Sequence, residues 1–465
     1  MCASWAGDLP RRIHLVGIGG SGLSAIARVL AAWGHSVSGS DMRDSPLLGE
    51  LNALGIRTYV GHAAEHVQGA ELVVVSSAIP ESNPEVQAAQ RMGIPVVKRA
   101  PLLGRMMAGR YGIAVAGTHG KTTTTAMIAV ILERLGLAPT FIVGGIIAEL
   151  GTNAQAGSGP HFVIEADEYD RTFHGLAPRI AVLTHLEMDH PDCYHDMEDL
   201  RAAFGRFVER VPEEGAIVAC ADSPELRRLL AARVGPGPRV VTYGRDPGAQ
   251  FRIHELSPNA HGGVDFRVYR GYGAWEACSL AVPGAHNALN ATAALIVADL
   301  LGLEREGALR ALAGFRGVLR RFELKGECAG ISVVDDYAHH PTQVRATLAA
   351  ARQRYPGRRI WAVFQPHTFS RTRALLGELA TCFDEADEVI ITAIYAARAH
   401  ERPIIGAEEL VAAIRHPRVR HIGALDDVVR YLMERLLPGD VLLTLGAGDG
   451  YLVGERVLAL LAGRA

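Results

Sequence analysis

Lysine is almost missing from this chain. Of the 47 basic residues among 465, three are lysine, Lys98, Lys121 and Lys325, and the other 44 are arginine. Codon bias accounts for such a ratio, and arginine richness alone does not indicate thermophily, whose broad signal is Lys and Glu enrichment. The shortage has one use: any chemistry that needs an ammonium group has three candidates. Excess charge is missing too, since 50 acidic residues leave a net charge of -3. That excludes the basic surplus of a general nucleic-acid binder, and no nucleic-acid partner is expected. The six cysteines, Cys2, Cys193, Cys220, Cys278, Cys328 and Cys382, are scattered with no CxxC pair. They read as reduced thiols of a cytoplasmic protein rather than a disulfide framework or a zinc site. The opening MCASWAGDLPRR has no apolar core of a secretory signal. No uncharged apolar run reaches the roughly 18 residues of a membrane span, so no membrane partner is expected.

What is present is ordinary globular material, 49% apolar and 21% charged, in a length that corresponds to about three domains. Short β-branched runs alternate with helical patterns. Ile13–Val16 reads as a strand, followed by a glycine turn and a helix to about Ala32; Ser36–Ser38 and Leu72–Val75 read as further strands. The pattern restarts at Gly112, with a strand at Ile113–Ala116 and a helix to about Leu135. It restarts again near residue 320, with strands at Ser332–Val334, Ile360–Phe364, Val389–Ile391 and Val441–Leu443 and a helix at Gln343–Arg352. Repeated βαβ units imply parallel sheets. The expected fold class is α/β with three domains: residues 1–108 Rossmann-like, 109–317 a central P-loop ATPase-like domain, and 318–465 a second Rossmann-like domain.

Two glycine loops stand between a strand and a helix. In Gly117-Thr118-His119-Gly120-Lys121-Thr122-Thr123, backbone N–H groups and the helix N-terminus suit phosphate oxygens. Lys121 would reach the β- and γ-phosphates and the Thr122 hydroxyl would bind Mg²⁺. Val115 stands where the strict P-loop pattern has its first glycine. The other loop, Gly17-Ile18-Gly19-Gly20-Ser21-Gly22, is followed by Asp41 at the end of the next predicted strand. It imitates a dinucleotide fingerprint, but such a loop says that backbone can approach a diphosphate, not which nucleotide carries it.

Polar clusters follow four predicted strands, where α/β sheets place ligands. The run Glu165-Ala166-Asp167-Glu168-Tyr169-Asp170 and the run His185-Leu186-Glu187-Met188-Asp189-His190 place Glu165 and His190 to face one metal. Carboxylate oxygens suit Mg²⁺ on ATP phosphates, and a histidine is the less natural ligand. The runs Asp335-Asp336-Tyr337-Ala338-His339-His340 and Gln365-Pro366-His367-Thr368-Phe369-Ser370-Arg371-Thr372-Arg373 add two histidine-bearing clusters. Arg371 and Arg373 can grip a carboxylate or phosphate by forked hydrogen bonds.

In order along the chain, GIGGSGLSAIA, SSAIPESNPE, GTHGKTTTTAM, EADEYD, LEMDHPD, PGAHNALNA, GVLRRFE, DDYAHHPT and QPHTFSRTRAL resemble the Mur ligase family. The resemblance covers nearly the whole chain. It implies an ATP-dependent ligase that joins L-alanine to the lactyl carboxylate of UDP-N-acetylmuramate, through an acyl phosphate, in peptidoglycan precursor synthesis. It implies that Gly19, Gly20, Ser21, Ser76 and Ser77 take the UDP-sugar, with Asp41 near the uridine end. Gly117, Thr118, His119, Gly120, Lys121, Thr122 and Thr123 would hold ATP, with His286, Asn287 and Asn290 by the adenine and Arg320 and Asp336 nearby. Thr122, Glu165 and His190 would hold two Mg²⁺ ions, with Mn²⁺ as a substitute. His367, Arg371 and Arg373 would face the amino acid and the sugar carboxylate; Lys121, His339 and Arg373 are the expected catalytic groups, with His339 or a neighbouring acid as the base. The C-terminal domain would close over the site, and the state expected is a monomer or weak homodimer. In Ile394–His400, relatives often carry an acid where Ala399 stands.

Several relatives that add later amino acids use a carbamylated lysine for the second Mg²⁺. This chain has no lysine between Lys121 and Lys325, which points to the L-alanine branch. The alternatives are a recycling ligase that attaches a tripeptide to the same UDP-sugar, an NAD-dependent dehydrogenase argued from the first loop alone, and a non-enzymatic nucleotide switch.

Overall fold

The structure is a computed structural model and describes residues 8–233, 235–271, 273–397 and 401–463. Cys2 and three residues of the loop singled out above, Arg398, Ala399 and His400, lie outside the described residues. The chain packs as two compact units. One comprises Met1–Glu187, Glu198–Gln250 and Ala291–Ala311; the other comprises Met188–Met197, Phe251–Asn290 and Leu312–Ala465. No described helix is long and apolar enough to cross a membrane.

The first unit holds a five-stranded parallel sheet built from β1 (Arg12–Val16), β2 (Ser36–Asp41), β3 (Arg57–Val60), β4 (Leu72–Val75) and β5 (Val96–Lys98), in the order β3-β2-β1-β4-β5. β4 is apolar at every position and buried, and β1 is buried from Ile13 to Val16, as strands covered on both faces are. The order reverses at β1, and the glycine loop follows that strand, so the turn lies at the topological switch point where open sheets bind ligands. On one face Val16, Val73, Val75, Val86 and Ala89 form a buried apolar cluster.

The same unit contains β6 (Tyr111–Ala116), β7 (Thr140–Ile147), β8 (Thr152–Gln155), β9 (His161–Glu165), β10 (Ile180–Leu183), β11 (Ala216–Cys220) and β12 (Arg239–Gly244), ordered β12-β11-β10-β6-β9-β7-β8. All but the edge strand β8 run parallel to their neighbours. β6 lies between β10 and β9, so the ends of three adjacent strands carry the phosphate loop, the acidic run after β9 and the polar run after β10.

In the second unit, β13 (Phe251–Pro258), β14 (Val264–Arg270) and β15 (Gly273–Leu280) form antiparallel pairs. A six-stranded sheet follows, built from β16 (Glu323–Cys328), β17 (Ile331–Asp336), β18 (Ile360–Phe364), β19 (Glu388–Ile391), β20 (Val419–His421) and β21 (Val441–Leu445), ordered β16-β17-β21-β18-β19-β20. Only β16 is antiparallel. Its faces are covered by two apolar clusters, one around Val334, Leu348, Phe364 and Phe383, the other around Val333, Trp361, Val428 and Val457.

Candidate active site

The phosphate loop of the first unit is shaped by backbone that only glycine adopts readily. Gly117 has φ +139°, and a Cβ there would strike the Thr184 hydroxyl and the carbonyl of His185. Gly120 has φ +78° and precedes the helix Lys121–Arg134. The loop is anchored to the run after β10: Thr118 N–H donates to the His185 carbonyl at 2.8 Å, and the Thr118 hydroxyl exchanges hydrogen bonds with the Glu187 backbone. The His119 ring stacks near His185 at 5.7 Å and pairs with Glu187. Thr123 is half-buried in the first turn of the helix.

The Lys121 ammonium donates to the Gly117 carbonyl at 2.6 Å and to Glu168 at 2.8 Å. Burial pushes its pKa down, but Glu168, Glu165 and Asp167 outweigh burial and hold it above the ordinary lysine value. Lys121 is therefore a fixed cation. The Thr122 hydroxyl donates to Glu165 Oε1 at 3.0 Å, while Glu165 Oε2 accepts the Gly144 N–H at 2.8 Å. A threonine hydroxyl and a carboxylate at one place are a hard-oxygen donor set that fits Mg²⁺. The sequence reading missed Glu168 as the partner of Lys121; its signal was its place in the acidic run.

The first glycine loop also forms as expected. Gly17 has φ +88° and packs against Ser76, and Gly20 N–H donates to the Gly17 carbonyl at 3.1 Å. The Ser21 carbonyl accepts from the Ser24 hydroxyl. Asp41, expected at the uridine end, turns its carboxylate to the Gly19 N–H at 2.9 Å. One backbone donor expected for the diphosphate is thus engaged by Asp41 here. Ser77 donates to Asp170 at 2.8 Å, and Lys98 reaches the same carboxylate at 2.7 Å. Lys98 thereby acquires a partner in the acidic run, and Lys325 pairs with Glu323 and Glu455.

In the second unit five predicted or neighbouring groups converge. Arg371 is 6% exposed, and its Nε donates to the equally buried Asp189 at 2.7 Å. Its NH1 lies 3.1 Å from His367 Nδ1 and its NH2 3.4 Å from His190 Nδ1. Burial pushes the Asp189 pKa up, yet the Arg371 guanidinium outweighs burial and holds it well below the carboxylate range. His190 has φ +54°, and its N–H donates to Asp189 at 2.7 Å. The His339 ring is 5.9 Å from His367, which stacks on Tyr395 at 5.7 Å. His339 Nδ1 is 3.0 Å from the Tyr337 carbonyl. A carbonyl only accepts, so Nδ1 carries the proton and the lone pair is on Nε2. Burial and Arg371 push the His339 pKa well down, leaving a neutral imidazole of the tautomer a general base requires.

Two adjoining residues separate from this cluster. Arg373 turns away to Glu409 at 2.6 Å and the Ile404 carbonyl at 3.0 Å, and is about half exposed. His340 is a helix cap: its side chain accepts the Thr342 N–H, and Gln343 reaches back to the His340 N–H ahead of the helix Pro341–Arg354.

His286, Asn287, Asn290, Arg320 and Asp336, expected by the adenine and near ATP, lie in the second unit. His286, beside Gly284, has its pKa pushed down to about 4 by burial and Arg321. Asn287 donates to the Pro283 carbonyl at 2.7 Å, and Asn290 donates to Asn287 at 3.2 Å. Arg320 pairs with Asp335 at 3.0 Å and lies over the rings of Tyr337 and Tyr451. Asp336 accepts the N–H groups of Phe322 and Ala338, both at 2.7 Å, and burial pushes its pKa up to about 6.

Comparison with known proteins places these clusters in one lineage. Three family models match in succession: "Mur ligase family, catalytic domain" over residues 12–111, "Mur ligase middle domain" over 115–298, and "Mur ligase, glutamate ligase domain" over 320–448. A protein of Acidobacterium capsulatum named UDP-N-acetylmuramate–L-alanine ligase is 47% identical over 440 residues, covering 94% of this chain and 95% of that one. The crystal structure of UDP-N-acetylmuramate–alanine ligase MurC from Thermotoga maritima aligns with a TM-score of 0.82 at 28% identity, covering 98% of this chain and 100% of that one. A murein peptide ligase from Psychrobacter arcticus aligns with a TM-score of 0.75 at 27% identity, covering 97% and 99%. With its two glycine loops, acidic run and arginine–histidine cluster all inside the matched regions, the chain belongs to the Mur ligase family.

Proposed function

We propose that this chain joins L-alanine to the lactyl carboxylate of UDP-N-acetylmuramate at the expense of ATP, releasing ADP and phosphate. The observation that carries this reading is the near-full-length identity to a relative of that name. A carboxylate is a poor electrophile, so it must first be activated. The lactyl carboxylate attacks the γ-phosphorus of ATP, ADP departs, and an acyl phosphate forms. The alanine amine then attacks the acyl carbon, phosphate leaves, and the amine proton passes to a base, for which His339 has the tautomer. Lys121 stabilises charge on the transferring phosphoryl group. Arg371 is the buried cation for the carboxylate end of the amino acid or sugar, with His367 beside it and Arg373 at the margin.

Thr122 and Glu165 of the first unit are groups that would hold Mg²⁺; His190, the other expected ligand, belongs to the second unit. When bound, the ion neutralises phosphate charge. Glu165→Gln removes one anionic ligand, and the Mg²⁺ concentration for half-maximal ADP release should rise about tenfold; an unchanged requirement takes Glu165 out of the metal shell. The domain limits 1–108, 109–317 and 318–465, a cytoplasmic location and a monomeric or weakly dimeric state belong to the same proposal.

The likeness to a murein peptide ligase favours one second reading, transfer of a tripeptide to the same UDP-sugar. A competition assay separates the two. With both acceptors at equal concentration, UDP-N-acetylmuramoyl-L-alanine should dominate the product; dominance of the tripeptide adduct reverses the assignment.

A further inference from the structure

Beneath the first glycine loop lies a buried polar cluster that the reaction above does not use. Glu85 is fully buried near the start of the helix Pro84–Arg91. Its Oε1 is 2.6 Å from His66 Nδ1. Its Oε2 accepts the Ser40 hydroxyl at 2.5 Å and lies 3.3 Å from His62 Nδ1 and 3.7 Å from His14 Nε2. His14 is itself fully buried and tied through Nδ1 to Ser38 at 2.9 Å. Tyr59 stacks on His66 with ring centroids 4.0 Å apart. Burial pushes the Glu85 pKa up, but the nearby His14 ring and the hydrogen bonds from Ser40 and His66 outweigh it and hold it down to about 2. A charged carboxylate out of water is retained only where its neighbours are arranged for it.

Those neighbours lead directly to the glycine loop. The Ser40 carbonyl accepts two loop amides, Gly17 N–H at 2.8 Å and Ile18 N–H at 3.0 Å. The next residue, Asp41, accepts the Gly19 N–H on its side chain and the Gly61 N–H on its carbonyl, the latter at 2.7 Å. Gly61 is followed by His62, which returns to Glu85. The ring of contacts Glu85, Ser40, Gly17 to Gly19, Asp41, Gly61, His62 therefore closes on itself, and the Ser40 hydroxyl is the bond by which the carboxylate holds the strand end under the loop.

We propose that Glu85 is a positioning residue for the UDP-sugar: acting through Ser40 and His62, it sets the glycine loop and Asp41 in the geometry that receives the diphosphate and its nucleoside. This rests on the substrate reading given above. It requires that loosening the cluster weaken UDP-sugar binding while leaving ATP and alanine handling unchanged, because no other predicted site residue belongs to the ring.

The test is calorimetric titration of UDP-N-acetylmuramate into the full-length protein without ATP, alongside steady-state kinetics, for wild type, Ser40→Ala and Glu85→Gln. Ser40→Ala removes one hydroxyl and leaves the buried carboxylate with its histidines, so it retains the fold. The expected result is a rise of about tenfold in Kd and KM for the UDP-sugar, with kcat and the KM for ATP within twofold of wild type; orienting partners of ligand-binding groups have effects of that size. Ser40→Thr, which keeps the hydroxyl, should restore most of the affinity. Wild-type affinity in Ser40→Ala overturns the proposal, as does a parallel loss for ATP and UDP-sugar at an unchanged melting temperature. If Glu85→Gln lowers the melting temperature, Ser40→Ala and its threonine rescue decide the matter. A wild-type protein that binds no UDP-N-acetylmuramate refutes the substrate reading instead, so the two failures are distinct.

Discussion

Lys121→Ala should lower kcat for ADP release by roughly 10³-fold or more while leaving the affinity for UDP-N-acetylmuramate within about twofold. The reason is local. Lys121 is the one lysine in the phosphate loop, its charge is secured by Glu168, Glu165 and Asp167, and arginine cannot replace a compact ammonium among backbone carbonyls. The variant has a second consequence that must be separated from the first. Glu168 is 2% exposed, and removing the ammonium 2.8 Å away takes a compensating charge from a buried carboxylate, which destabilises the fold. Lys121→Ala should therefore melt earlier. The double variant Lys121→Ala with Glu168→Gln should regain much of that stability and none of the turnover. Rate and stability recovering together would mean that Lys121 serves the fold and not the phosphoryl transfer.

Arg371→Ala should cost both stability and alanine use. Asp189 is 4% exposed and paired to Arg371 at 2.7 Å, so truncation strands a buried carboxylate, a loss of about 3–5 kcal/mol. The sign of the pH dependence follows. Asp189 is held below its ordinary pKa, so the pair contributes stability above the usual carboxylate range and loses it as pH falls through the depressed value. In Arg371→Ala that acid-side loss should shrink, because the bond that favoured the ionised form is gone. Loss of a charged hydrogen-bond donor should lower kcat/KM for L-alanine by roughly 10- to 100-fold, and Arg371→Lys should not restore it, since an ammonium cannot fork toward Asp189, His367 and His190 together. Arg373→Ala, whose exposed pair with Glu409 is worth under about 1 kcal/mol, should affect alanine use less. Equal losses in the two variants, or an unchanged acid limb, would remove Arg371 from the role given to it.

The fold class and the position of each motif on a strand end were determined by sequence alone. Apolar runs such as Leu72–Val75 can be satisfied only inside a covered parallel sheet, and glycine loops between a strand and a helix have few conformations. Lys121 and Thr122 were legible for the same reason: their neighbours in sequence are their neighbours in space. Partners across the chain were not. That Lys121 meets Glu168, that Asp189 meets Arg371 182 residues away, and that Asp41 turns back on Gly19 depend on which strands lie side by side. Periodicity along the chain carries no information about that order. Arg371 and Arg373 looked equivalent as two arginines in one short run, yet they point to a buried carboxylate and to a surface glutamate. His339 and His340 diverged likewise, one turned toward His367 and one serving as a helix cap. Neighbouring positions on a turn or a helix's first residues face different ways, and only packing decides which face meets the site. The scarce lysines show the division: sequence singled out Lys121, while tertiary structure supplied the carboxylates that keep it charged and a partner, Asp170, for Lys98.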